Sequence, residues 1–191
     1  RVQALLLGAL LGDGSLKIHK PYKNARFSFR HSTVQEDYFR WKTAELKEIS
    51  SDKNIFVQKG DGFGTRDKLR YQSRALASLT DLYNLTHKRG SFRIRRKWLN
   101  RMTPLSLAIW WLDDGSLIAN SRKGVFCTDG FDYASQKILA DYLDIVWGIK
   151  VSIGKIGSKR DGKKDEYYRL WIRSTEEMKK FLRIILPYIE V

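Results

Sequence analysis

Two short segments of this chain repeat one pattern. Leu11-Gly12-Asp13-Gly14-Ser15-Leu16 closes one apolar run, and Leu112-Asp113-Asp114-Gly115-Ser116-Leu117 closes another. Asp13 and Asp114 stand 101 positions apart, and Ser73 and Ser174, each between a strand-like and a helix-like run, keep the same offset. Asp61-Gly62 and Asp161-Gly162 lie 100 apart, each where a hairpin turn would join two strands. Three landmarks at nearly one offset imply a tandem duplication. Such a chain is expected to fold as two like units, and its 191 residues suffice for one sizeable core or for two small ones sharing an interface.

Both halves predict the same order of elements. An apolar helix comes first, over Val2–Leu11 and again over Pro104–Leu112, the second opened by Thr103 as N-cap and Pro104 in the first turn. Two short strands follow, near Leu16–His19 and Arg26–Arg30, then near Leu117–Asn120 and Val125–Thr128. A longer amphipathic helix covers Val34–Glu48 in one half and Tyr133–Trp147 in the other, with Ser32 and Asp132 as caps. A hairpin succeeds it, Ile55–Lys59 with Lys68–Ser73, then Val151–Ser158 with Tyr167–Arg173. Closing helices span Ala75–Tyr83 and Thr175–Leu186. The expected boundaries are an N-terminal repeat over 1–87, a basic linker over 88–102 and a C-terminal repeat over 103–191. From Lys88 to Arg101 the linker reads as a strongly basic strap lying on the partner's surface, or else as a helix with a solvated face.

Composition narrows the function. The 42% hydrophobic content excludes a disordered chain, and the single cysteine, Cys127, excludes a disulfide scaffold. One Cys beside three scattered His (His19, His31, His87) argues against a structural zinc site. No apolar stretch is long enough to span a bilayer, and the expectation is a soluble, intracellular protein of a reducing compartment. That compartment is a bacterial or archaeal cytoplasm or an organelle. Lys and Arg number 36 against 21 Asp and Glu, a net charge of +15 carried by segments that also read as folded structure. A phosphate-rich partner fits that excess, because each phosphate neutralised by Lys or Arg releases condensed counterions.

The strands sharpen the point. Phe27 and Phe29 alternate with Arg26, Ser28 and Arg30; Leu69 and Tyr71 with Arg70, Gln72 and Arg74; Leu170 and Ile172 with Arg169, Trp171 and Arg173. An ordinary half-buried sheet accounts for polar residues on the outer side. It does not require them to be Arg, Gln and an exposed aromatic, the types that contact base edges and phosphates. These residues, with Lys155 on the preceding strand, form the expected DNA-facing set.

The duplicated Asp-Gly segments have a physical reading of their own. One copy alone is a common helix end with Asp in the following turn. Two copies on apolar helices are different. Gly8 and Gly12 lie four apart on one helix face and admit a second helix very closely, with Ala108 at a similar depth on the other. Side by side, the helices deliver Asp13 and Asp114 to one end, where like charges repel unless a cation is bound. Hard carboxylate oxygens suggest Mg²⁺, or a similar ion such as Mn²⁺, with substrate phosphate completing its shell. A phosphodiester-cleaving site follows.

Leu6-Leu7-Gly8-Ala9-Leu10-Leu11-Gly12-Asp13-Gly14 and Leu107-Ala108-Ile109-Trp110-Trp111-Leu112-Asp113-Asp114-Gly115 resemble the two motif copies of the LAGLIDADG homing endonucleases. The lead-in from Thr103-Pro104-Leu105-Ser106 is similar to the single-chain branch encoded in introns. The resemblance implies an α/β fold of two pseudo-symmetric αββαββα repeats, with paired motif helices at the interface and antiparallel, saddle-shaped sheets in the DNA major groove. It also implies a monomer making Mg²⁺-dependent double-strand breaks in a long target, one strand per acidic residue. Asp13 and Asp114 match the metal-binding acids, with Gly12 and Asp113 beside them in a secondary role. A basic residue near each metal site is implied too. Lys88, Arg89 and Arg93 are the candidates in the first half, and in the second the counterpart would lie beyond Pro187-Tyr188-Ile189. Gln72 and Arg173, at matching repeat positions, are expected to approach the scissile phosphates. Two rival functions use the same surface: an RNA maturase that assists splicing of its own intron, for which the acids would be dispensable, and a DNA-binding regulator without cleavage.

Overall fold

In the computed structural model, residues 1–60, 66–160 and 163–189 are described, so the Asp-Gly turns at 61–62 and 161–162 lie outside the described residues. Each half runs helix, two strands, helix, two strands, helix. The first contains α1 (Val2–Ala9), β1 (Ser15–Lys17), β2 (Arg26–Ser32), α2 (Glu36–Glu45), β3 (Ile55–Gln58), β4 (Lys68–Gln72) and α3 (Ala77–Thr86). After β5 (His87–Lys88), β6 (Ser91–Phe92) and the short α4 (Arg96–Leu99), the pattern restarts. It continues as α5 (Pro104–Asp114), β7 (Gly115–Ile118), β8 (Lys123–Phe126), α6 (Tyr133–Trp147), β9 (Ser152–Arg160), β10 (Lys163–Ile172) and α7 (Thr175–Ile185).

The strands form two four-stranded antiparallel sheets of matching order, β1-β2-β4-β3 and β7-β8-β10-β9. Their ladders correspond closely. Leu16 pairs with Phe27 and Leu117 with Gly124, while Phe29 pairs with Tyr71 and Phe126 with Leu170. Leu16, Phe27, Phe29, Tyr71, Phe126 and Leu170 of these pairs line the core, as does Ile172 and as the alternation of the strands predicts, whereas Leu117 is exposed. Trp110 of α5 stacks on Phe126 at a centroid separation of 4.2 Å, and Trp111 meets Phe181 of α7 edge-on at 5.1 Å. These aromatics fix α5 against the second sheet, supplying large buried area with a preferred geometry.

Several boundaries differ from the expected ones for local reasons. The first helix ends at Ala9, not Leu11, because Leu11 and Gly12 donate to Gly8 and Ala9, bonds that tighten the last turn. Helix α2 starts at Glu36, preceded by a 3₁₀ turn over Thr33–Gln35; Ser32 gives no side-chain cap, whereas Asp132 accepts from the Ser135 N–H at 2.8 Å. Strand β7 stops at Ile118 because Ala119, Asn120 and Ser121 all adopt positive φ (52°, 55° and 63°), a left-handed turn that no strand can continue through. The basic segment between the halves holds a two-stranded ribbon, β5 with β6, and then α4, whose Trp98 and Leu99 are buried. Among the described residues, no helix is long and apolar enough to cross a membrane.

Candidate active site

The site begins where α1 and α5 touch. A Cβ added to Gly8 would fall inside the van der Waals envelope of the Ser106 carbonyl oxygen, and would lie 2.9 Å from Ile109 Cβ. Ser106 and Ile109, rather than Ala108, are thus what the first helix meets at its closest approach. The Ser106 hydroxyl accepts from the Thr103 N–H at 3.1 Å and donates across the seam to the Ala4 carbonyl at 2.7 Å. Gly12 makes the same kind of space one turn later, where a Cβ would overlap Asp113 Cβ. Removing two side chains lets the backbones approach, and that approach brings the ends of both helices together.

The acids at those ends are unlike one another. Asp13 follows the last turn of α1 with its side chain 40% exposed, while the side chain of Asp113, at the end of α5, is 0% exposed. Asp113 is bonded on all sides: Lys42 Nζ donates to its two oxygens at 2.6 and 2.7 Å, the Tyr38 hydroxyl at 2.7 Å and the Asp13 N–H at 3.3 Å. Burial, reinforced by the Asp113 carboxylate, pushes the Tyr38 phenol far above its usual range. Among the described residues, no cation pairs with Asp114 in this way. Burial, then the charges of Asp13, Asp113 and Asp129, raise its carboxyl to about 7 against a weaker opposing pull from Lys42. With Lys42 balancing Asp113, two carboxylates, Asp13 and Asp114, act on each other as like charges, and among the described residues no Lys or Arg pairs with either. Their carboxylate oxygens suit a hard divalent cation in charge and in ligand chemistry.

Three residues here escaped the sequence reading. His31 of β2 is buried beneath Asp13, its Nδ1 3.3 Å from Asp13 Oδ2 and its Nε2 3.9 Å from Asp113 Oδ1. Ligand atoms of Asp13, His31 and Asp113 all lie within 4.8 Å of one another. The centre therefore includes an imidazole, contrary to the expectation of carboxylates alone. Its signal was the alternation that put His31 on the side of Phe27 and Phe29. Lys42 and Tyr38 sit four apart on the buried face of α2 with Phe39, and a Lys inside an apolar stripe was the sign to follow.

The sequence-predicted residues fall into separate places. An open groove of about 390 Å³ joins Asp13 to Ser28, Arg30 and Arg70, with Ser15, Lys17, His19 and Phe29. A second, of about 570 Å³, continues over Arg30 and Arg70 to Gln72, Phe56, Val57 and Gln58. Arg26, 4.2 Å over the Tyr22 ring, lines a different groove with Arg74, which bonds the Glu48 carbonyl at 2.7 Å. On the second sheet, Arg169 grips both oxygens of Asp129 at 2.5 and 2.6 Å, Lys155 pairs with Glu166, and Arg173 bonds Ser152 Oγ at 2.7 Å beside the Trp171 ring. The ladders also correct one correspondence. Gln72 faces Ser28 as Trp171 faces Val125, so Trp171, not Arg173, holds the place of Gln72, because β10 runs on to Ile172 before Ser174. Lys88, Arg89 and Arg93 line a groove of their own with Ser91, Ile94 and Arg95, outside the one at Asp13. The charge of Arg93 acts on Asp132.

Known proteins match this arrangement over nearly the whole chain. In sequence, it is 29% identical over 201 residues to the protein RecA of Mycobacterium gastri, covering 97% of this chain and 44% of that protein. It is 26% identical over 198 residues to the cytochrome b mRNA maturase bI2 of Saccharomyces cerevisiae, covering 98% of this chain and 45% of that protein. The chain thus spans less than half the length of these curated relatives. In fold, it is similar to the homing endonuclease I-WcaI bound to its DNA recognition sequence, with a TM-score of 0.79 at 22% identity over 98% of this chain and 81% of that one. Mesophilic variants of the homing endonuclease I-DmoI superpose with a TM-score of 0.54 at 20% identity over 97% of this chain and 95% of theirs. The family profile described as the LAGLIDADG DNA endonuclease family matches residues 3–181. With that match and its two motif helices paired at the centre of two like halves, the chain belongs to the LAGLIDADG DNA endonuclease family.

Proposed function

We propose that this chain is a site-specific homing endonuclease, a monomer that makes a double-strand break in a long DNA target by metal-dependent phosphodiester hydrolysis. One observation carries the reading: at the ends of the paired helices the charge of Asp13 acts on the part-buried Asp114, and Asp13 opens onto a groove lined by Arg30 and Arg70. The repeats over 1–87 and 103–191, joined by 88–102, serve as the two halves of one DNA reader. The fold neighbours add support, since I-WcaI is bound to its recognition sequence and I-DmoI is in complex with DNA and Mn.

Asp13 and Asp114 would be the residues that hold a divalent cation, Mg²⁺ or Mn²⁺. When bound, that ion stabilises the negative charge developing on the scissile phosphate. Asp113 serves a different end: held by Lys42 and Tyr38, it fixes the α1–α5 seam and the Asp13 backbone. Arg30 and Arg70, exposed and paired across β2 and β4, bind phosphate or a base edge in front of Asp13. Ser28 and Gln72, the next cross-strand pair, add shorter polar groups to the same face.

A second reading, RNA maturase, draws on the similarity to the mRNA maturase bI2. The two separate on one experiment. The protein is incubated with a plasmid library carrying randomised intron-insertion sequences and Mg²⁺, and DNA ends are mapped by sequencing. Ends clustered at one sequence support the nuclease; intact DNA together with protein-dependent splicing of an intron transcript supports the maturase.

A further inference from the structure

His31 occupies a core position on β2, its ring packed among Phe29, Tyr38 and Phe39 at centroid separations of 5.2, 5.0 and 6.2 Å. A buried imidazole ordinarily bonds a carbonyl or hydroxyl nearby, yet neither ring nitrogen makes a hydrogen bond among the described residues. Nδ1 instead stands at ion-pair distance from Asp13 Oδ2, and Nε2 faces Asp113. The ring is therefore wedged between a carboxylate locked by Lys42 and Tyr38 and the part-exposed carboxylate of Asp13. The groove in front of Asp13 is lined by Ser28, Arg30 and Arg70 and not by His31, so the imidazole backs the acid from the protein side.

The second half lacks this support. Ser15 pairs with Ser28 as Ser116 pairs with Val125, and Phe29 pairs with Tyr71 as Phe126 pairs with Leu170. Continued two residues further, the correspondence sets Thr128 in the place of His31. The Thr128 hydroxyl is turned away, donating to Gln136 Oε1 at 2.8 Å. One motif acid thus rests on a rigid ring, and among the described residues no imidazole takes that place in the other half.

We infer that His31 is a positioning residue for Asp13 alone, so that the two strands are cut at inequivalent centres, one dependent on His31 and one independent of it. This rests on the nuclease reading above. A ring that restricts Asp13 lowers the cost of orienting its carboxylate toward metal and phosphate, and small displacements at such a group lower rates steeply.

The test uses strand-resolved single-turnover cleavage of a target labelled at both ends, with DNA affinity and melting temperature measured alongside. His31→Phe keeps the ring packing and removes both nitrogens; His31→Asn restores a nitrogen near the Nδ1 position. The expected result is cleavage of one strand slowed about tenfold or more and of the other within about twofold, with nicked DNA accumulating. DNA affinity stays unchanged, and His31→Asn recovers most of the slowed rate. Equal slowing of both strands, or no slowing of either, overturns the positioning role while leaving the nuclease intact. Failure of the wild-type protein to cut either strand overturns the nuclease reading instead, and the inference with it.

Discussion

Lys42 and Asp113 form an ion pair in which neither side chain is exposed to solvent, with Nζ–O distances of 2.6 and 2.7 Å. They come from different repeats, Lys42 from α2 and Asp113 from the end of α5, so the pair ties the two halves together directly beneath Asp13. Breaking such a pair strands a charge in a site that excludes water, whereas removing both charges relieves that cost. Lys42→Met should therefore destabilise the fold by about 3–5 kcal/mol. The double variant Lys42→Met with Asp113→Ala should lie closer to wild type than the sum of the two single changes. Urea unfolding of the four proteins measures this; strictly additive losses would show that the pair has no coupling.

Gly8→Ala tests the seam itself. Its new methyl meets the Ser106 carbonyl, which is backbone within a helix and cannot swing aside. The helices must separate, at a cost of about 1–3 kcal/mol. The same motion should depress metal-dependent cleavage more than DNA affinity. An alanine variant as stable and active as wild type would contradict the close packing of α1 on α5.

The raised carboxyl of Asp114 sets a pH dependence of stability. Its folded-state value of about 7 lies above the 3.8 of an ordinary Asp, so the folded chain holds a proton that the unfolded chain has released. The stabilising contribution is complete below the unfolded value and is lost as pH rises through about 7. In metal-free buffer, Asp114→Asn should gain on wild type between about pH 5 and about pH 8, by on the order of 2 kcal/mol. Added Mg²⁺ should stabilise wild type more at the higher pH and the Asn variant little. Thermal melts across that range decide, and a pH-independent difference would contradict the crowding of the acids.

Much of this was legible from residues alone because periodicity and repetition are backbone properties. The 101-residue offset placed both motif helices, and the alternation of Phe27 and Phe29 with arginines placed the sheet faces. What stayed hidden depends on contacts between distant segments. His31 reads as a core position and Lys42 as one of many basic residues; only the packing of α2 and β2 under the seam joins them to Asp13 and Asp113. The basic stretch after Lys88 reads as a strap because its charges outnumber its apolar residues. Trp98 and Leu99 nonetheless bury and anchor a short helix there.

The outward arginines carry a prediction about specificity. Arg70→Ala, at the groove shared with Asp13, should relax base preference at one target position and cost about 1–3 kcal/mol in binding. Affinity as a whole should fall steeply with salt, as phosphate-dominated binding requires. Arg173, already bonded to Ser152, should behave the same way at a different position when replaced by Ala. Profiling cleavage of single-base target variants checks both; uniform weakening across all targets would mean contact to phosphate rather than to a base.

The cation-holding role of Asp13 and Asp114 meets its most direct test in Asp13→Asn and Asp114→Asn assayed for DNA binding and Mg²⁺-dependent strand cleavage side by side. Both variants are expected to bind the target as tightly as wild type and to fail to complete the double-strand break. Double-strand cleavage at the wild-type rate by either variant would contradict that role.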